Sequence, residues 1–186
     1  MSSEGIKVLG ISGSLRKGSF NTAALRAAVE LAPPGITIET FDISPIPLYN
    51  EDVREKGFPP VVEELRGKIK AADALLIVTP EYNYSIPGVL KNAIDWASRP
   101  PDQPFDNKPL AIMGASPSML GTARCQYHLR QCFIYLNALI LNQPEVMIAS
   151  AQNKFDAQGK LTDEKTRDFI CQLLVSLQKW TLRLKA

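Results

Sequence analysis

The sequence predicts a doubly wound α/β sandwich, and three observations carry that prediction. Apolar runs of strand length alternate with segments of helical period along the chain, the pattern of a sheet covered by helices on both faces. Two of those runs, residues 74–79 and 109–115, are apolar almost without a break, as strands of a parallel sheet are when both faces are buried. Three polar loops, residues 12–22, 80–88 and 116–122, each follow a strand run and precede a helix. Parallel strands bring all three to one edge of the sheet. With 186 residues and no internal repeat, low-complexity tract or linker, the chain reads as one domain over residues 1–186.

Taken in order, residues 6–11 form the first strand, and a helix with Ala23, Ala24, Ala27, Ala28 and Leu31 on one face leaves the loop behind it. Pro33, Pro34 and Gly35 force a turn, and residues 36–41 alternate as a strand. Residues 42–58 make a connection long enough to predict a role, either as a rim over a site or as a contact between subunits. Pro59 and Pro60 open a helix with Val62, Leu65, Ile69 and Ala72 at helical spacing. After the strand at 74–79, Pro87 falls in the first turn of a helix striped by Leu90, Ala93, Ile94 and Ala97. The strand at 109–115 is followed by a helix carrying Cys125, Leu129, Cys132, Phe133 and Leu136. Residues 138–141 are expected to be the last central strand, with Pro144 interrupting and 146–148 forming a short edge piece. A polar loop covers 152–161; Thr162 is expected to cap the final helix, with Asp163 and Glu164 in its first turn. Phe169, Ile170, Leu173, Leu174, Leu177, Trp180 and Leu184 then keep a helical period.

Composition excludes several classes. Net charge is +2 with both signs interspersed, so no basic face marks a nucleic-acid partner. No apolar run approaches the length of a membrane span, and no apolar leader follows Met1, so a soluble cytoplasmic protein without membrane insertion is expected. Three cysteines without a C-x-x-C pair and a single histidine, His128, offer no metal-ligand spacing. Cys125 and Cys132, seven apart on one helix, read as small core or interface residues.

The loop at 12–22 carries the first chemistry. Gly13 and Gly18 have the spacing of a Walker A loop, but Ser19 and Phe20 follow where that motif needs Lys and Ser or Thr. The dinucleotide fingerprint is absent, because Gly10, Gly13 and Gly18 are wrongly spaced. What remains is a hydroxyl-rich turn at a helix N-terminus, with Arg16 and Lys17 beside it, suited to one terminal phosphate. Alone, it is equally an ordinary βα turn with a serine cap, and Tyr82 and Tyr84 alone read first as surface aromatics. Together, the phosphate loop, the aromatic donor-rich loop at 80–88 and the small-residue loop at 116–122 match flavin mononucleotide (FMN), a flat ring on a phosphorylated tail.

The segments Gly13-Ser-Leu-Arg-Lys-Gly-Ser-Phe-Asn21 and Thr79-Pro-Glu-Tyr-Asn-Tyr-Ser-Ile-Pro-Gly-Val-Leu-Lys-Asn-Ala-Ile-Asp-Trp96 resemble the signatures of the NADPH-dependent FMN reductase family, in particular its bacterial soluble quinone and chromate reductase branch. Residues 123–131 are similar to that branch as well. The resemblance implies a flavodoxin-like three-layer sandwich with a five-stranded parallel sheet of order 2-1-3-4-5, bound FMN, NADPH or NADH as hydride donor, and a homodimer or homotetramer. It implies that Ser14, Arg16, Ser19 and Asn21 hold the FMN phosphate, with Leu15, Lys17, Gly18 and Phe20 completing the loop largely through backbone. Pro80, Glu81, Tyr82 and Asn83 would line the isoalloxazine, and Ser116 would lie beside the ring or ribityl chain. Gly121-Thr122 departs from the two glycines common there. The implied reaction passes hydride through flavin N5 to small-molecule acceptors: quinones, chromate, free flavins, azo or nitro compounds. No Ser-His-Asp set, paired carboxylates or metal is needed for that, since the cofactor carries the chemistry. The alternative is a flavodoxin-type electron carrier, against which the slightly positive charge argues. A phosphatase of similar architecture would need a cysteine in the first loop, and residues 12–22 have none. No residue that reads the nucleotide ribose can be placed from sequence.

Overall fold

The structure is a computed structural model and describes residues 5–186. Its elements are β1 (Ile6–Ser12), α1 (Phe20–Glu30), β2 (Ile36–Phe41), α2 (Glu51–Arg54), α3 (Pro60–Ala71), β3 (Ala74–Val78), α4 (Gly88–Ala97), β4 (Pro109–Ala115), α5 (Ala123–Tyr135), β5 (Leu139–Ile140), β6 (Val146–Ile148), a 3₁₀ turn (Ala151–Asn153) and α6 (Glu164–Lys185). The sheet is parallel in order β2-β1-β3-β4-β5, with β6 also paired to β4. The strand order reverses between β1 and β3, whose C-terminal ends open a crevice.

Successive strand residues point to opposite faces, and the two cores divide accordingly. Ile6, Val8, Leu76, Val78, Ala111 and Met113 pack with α1 and α6. Leu9, Ile11, Leu75, Ile77, Leu110 and Ile112 pack with α3, α4 and α5. The alanine face of α1 lets the helix lie close to the sheet: a Cβ on Gly10 would stand 2.7 Å from Leu25 Cδ1. No described helix is long and apolar enough to cross a membrane.

Two local expectations are corrected, and a third region is resolved in detail. Residues 138–141 and 146–148 are not a central strand and a separate edge piece. β5 pairs with Pro109 and Leu110 and β6 with Met113, Gly114 and Ala115, so they share one edge position along β4, divided around Pro144. The final helix is capped by Asp163, whose carboxylate accepts from Thr166 N at 3.0 Å, while the Thr162 hydroxyl donates to Lys154 O. The connection at 42–58 contains α2 and is fastened to α4: Pro47 O accepts from Asn92 Nδ2 and Trp96 Nε1 at 2.9 and 2.8 Å, and Tyr49 N donates to Asn92 Oδ1 at 2.8 Å. Arg66, buried on α3, stacks on Phe58 and donates to the carbonyls of Ala97 and Arg99, tying the end of α4 to the same region.

Candidate active site

The C-terminal edge of the sheet carries the three loops. Gly13 N donates to Val78 O and Thr79 N to Met113 O, so each loop leaves its strand directly beside the next. In the first loop Ser19 is the N-cap of α1, accepting from Asn21 N and Thr22 N. Ser12 Oγ lies 2.9 Å from Thr22 Oγ1 and also accepts from Ser14 N. Among the described residues, the backbone N–H groups of Leu15, Lys17, Gly18 and Phe20 donate to nothing, and all four belong to the turn leading into the helix N-terminus. Unpartnered N–H groups at a positive helix end suit a tetrahedral anion.

The Asn21 side chain, at the start of α1, reaches across to the end of β4. It is buried, donates from Nδ2 to Ala115 O at 2.9 Å and accepts at Oδ1 from Ala115 N at 2.8 Å. This bidentate clasp sets the spacing between the first loop and the end of β4, where Ser116 begins the third loop. Ser116 N donates to Ile148 O, and its hydroxyl bonds to Ser118 Oγ at 3.0 Å, at the surface.

In the second loop Pro80 is buried, and Tyr82 pairs with Ser85 across a two-residue turn at Asn83 and Tyr84. Both turn residues have positive φ, 49° and 67°, a conformation for which tyrosine is poorly suited. The tyrosine ring lies 3.5 Å from the Arg124 guanidinium carbon, so a cation–π contact favours it there. The Glu81 carboxylate, 8 % exposed, accepts from Arg124 Nε at 2.7 Å and from Cys125 N at 3.1 Å. It thereby caps α5, whose own N-cap, Thr122, makes no side-chain bond to the helix backbone. Among the described residues the N–H groups of Glu81, Asn83 and Tyr84 are unpartnered, while Tyr82 and Tyr84 expose 51 % and 66 % of their surface. This loop presents backbone donors and aromatic walls on one rigid turn.

Thr79 Oγ1 donates to Pro80 O at 2.8 Å and lies 3.5 Å from Cys125 Sγ. Burial pushes the Cys125 thiol up to about 11, so it stays protonated at neutral pH. His128 is exposed, with Nδ1 3.2 Å from Ser85 Oγ. Cys132 faces a cleft of about 580 Å³ between α4 and α5. Among the described residues no three His, Cys, Asp or Glu side chains assemble as a metal site. Sequence assigns no role to Arg124 or Thr79, and marks Thr122 only as a departure from a glycine pair. Their roles depend on contacts between β3, β4 and α5 that leave no local signal.

A sheet of this order, with free backbone donors in two loops at its C-terminal edge, has the flavodoxin-like arrangement. The family model for NADPH-dependent FMN reductase matches residues 6–153. The chain is similar to NAD(P)H-dependent FMN reductase PA1204 of Pseudomonas aeruginosa, 66 % identical over 98 % of this chain and 99 % of that protein. It is 47 % identical to the quinone reductase of Escherichia coli, again over 98 % and 99 % of the two. Among solved structures, FerB, a flavoenzyme NAD(P)H:(acceptor) oxidoreductase from Paracoccus denitrificans, superposes with a TM-score of 0.87 at 35 % identity, covering 96 % of this chain and 98 % of that one. The chain belongs to the NADPH-dependent FMN reductase family, and it is an NAD(P)H-dependent oxidoreductase working with FMN.

Proposed function

We propose that this chain is an NAD(P)H:quinone oxidoreductase, one FMN-binding domain over residues 1–186 that also accepts chromate, free flavins, azo and nitro compounds. The observation that carries the site is the row of unpartnered N–H groups at Leu15, Lys17, Gly18 and Phe20, joined by the Ser14 hydroxyl and Arg16. Such donors fit the dianionic phosphate of FMN and no triphosphate, since no lysine follows the turn as in a Walker loop.

Asn21 enters this reading as a positioning residue: its clasp on Ala115 holds the phosphate loop at a fixed distance from Ser116. Pro80, Glu81, Tyr82 and Asn83 line the ring, with the free N–H groups of Glu81 and Asn83 turned to its polar edge. The Glu81 carboxylate acts through Arg124 and Cys125 N, holding that turn rigid. Tyr82 and Tyr84 wall the ring and exclude water from one side. Bound FMN supplies the centre, N5, that takes hydride from the nicotinamide and returns it to an acceptor. The chain itself binds, orients and shields. The quinone assignment is supported by the 47 % identical quinone reductase and by the open, exposed aromatic rim. A homodimer or homotetramer in the cytoplasm completes the reading.

The test is rapid mixing of FMN-loaded protein with NADPH and then a benzoquinone. The flavin absorbance at about 450 nm should bleach promptly and return on quinone addition. A flavin that stays oxidised with either nicotinamide but is reduced by a partner reductase identifies an electron carrier instead.

A further inference from the structure

On the far side of the phosphate loop, between it and the end of β2, lies a groove of about 500 Å³. Its walls include Arg16, Lys17 and Arg26, and its floor includes Leu25, Phe41 and Ile43. None of the three cations has a carboxylate within ion-pair distance among the described residues. The one carboxylate at the rim, Asp42, already accepts from Ser44 N and Ser44 Oγ at 2.8 and 2.7 Å. Arg16 lies over the Phe20 ring and the Arg26 guanidinium beside Gly159, at the edges of the groove, on side chains long enough to turn inward. Three cations without a carboxylate partner around an apolar floor suit a phosphate monoester attached to a flat, partly apolar group.

The FMN phosphate is not the best occupant. The groove is bounded by Leu15, Arg16 and Lys17 but not by Gly18, Ser19, Phe20 or Asn21, so half of the N–H cradle faces elsewhere. Arg26 stands a turn further along α1, on its exposed face. From the loop above β3 and β4 to the β1–β2 edge is two to three strand spacings, about 10–14 Å. A dinucleotide whose nicotinamide lies at the flavin crosses that distance and brings its adenosine end to the groove.

Building on the function proposed above, we infer that this groove binds the 2′-phosphorylated adenosine of NADPH, with Arg26 as the residue that distinguishes NADPH from NADH. Arg26 meets the 2′-phosphate, Lys17 supports it, and Leu25 and Phe41 lie under the adenosine. The residue was illegible in the sequence because it sits within the alanine-rich helix and carries no motif.

Calorimetry on the FMN-loaded protein tests this without turnover. Adenosine 2′,5′-bisphosphate should bind about 10-fold more tightly than 5′-AMP, and Arg26→Gln should remove that difference. In steady state the same variant should raise KM for NADPH about 10-fold, moving KM for NADH far less and leaving the flavin content as it was. Equal binding of the two adenosine probes overturns the inference. So does displacement of FMN by the bisphosphate, which would assign the groove to the flavin phosphate. A protein that never retains FMN would defeat the functional reading instead, and the probe titration on that protein would still decide the groove.

Discussion

The two ends of the sheet are built on opposite principles. At the N-terminal end, polar groups satisfy one another. Asp73 accepts from Lys7 N at 2.7 Å and pairs with Lys185 at 2.8 Å, and Lys108 Nζ donates to the carbonyls at the end of α3. At the C-terminal end, N–H groups stand free in two loops and three cations lack a carboxylate partner. Left-handed backbone occurs at both ends, at Asn107 and Asn137 ahead of β4 and β5 and at Asn83, Tyr84 and Thr122 here. Thr122, buried and β-branched at φ 72°, is the most costly of these, on the order of 1–3 kcal/mol. One end is tied together by its own polar groups; the other keeps backbone donors available in its loops. The free donors of those two loops are what the proposed site offers a ligand.

Substitutions can break or sharpen this contrast. The largest effect is expected where strain and packing meet, at Gly114. A Cβ there would lie 2.0 Å from Thr122 Oγ1 and 2.3 Å from Thr79 O, and neither can retreat. Gly114→Ala should cost about 3 kcal/mol and lower the midpoint of thermal unfolding by about 6–12 °C. Asn21→Ala comes next. It strands the N–H and C=O of Ala115 in the core and should cost about 2 kcal/mol in denaturant unfolding. It should also weaken FMN, because the loops it ties together lose their spacing.

At the opposite end Asp73→Asn should cost about 1 kcal/mol and leave FMN affinity untouched. If it weakened FMN as Asn21→Ala does, the two ends would not be separable. Its pH dependence has a definite sign. Burial pushes the Asp73 carboxyl up, but Lys185, the Lys7 N–H and the charges of Lys185 and Lys108 together hold it below the usual range. Its contribution is complete above the unfolded carboxylate pKa and is lost as pH falls through that range toward the lowered value. Acid unfolding of the Asn variant should therefore start from lower stability and fall less steeply with pH. The smallest effect concerns the thiols. Cys125, buried with its thiol raised to about 11, should resist alkylation at neutral pH while partly exposed Cys132 and Cys171 react. Mass mapping of labelled peptides reads this directly.

Much of the plan was legible because period and loop chemistry are local. The continuous apolar runs at 74–79 and 109–115 became β3 and β4, and the Ser-Gly turn became the entry to α1. What stayed hidden depends on distance in sequence. Nothing near Asn21 announces that its amide reaches Ala115, ninety-four residues away. Nothing near Glu81 announces that it caps α5. The split of the last strand position escaped because β5 has only two residues and gains its pairing from β4. The choice of Asp163 over Thr162 as cap turns on a one-residue shift that composition does not resolve.

The measurement that goes most directly to the centre is a paired titration of flavin-free protein with FMN and with riboflavin, which share the ring and differ by the phosphate. If the free N–H groups of the first loop form an anion cradle, FMN should bind at least about 100-fold more tightly. Equal affinities would contradict that cradle and the arrangement built upon it.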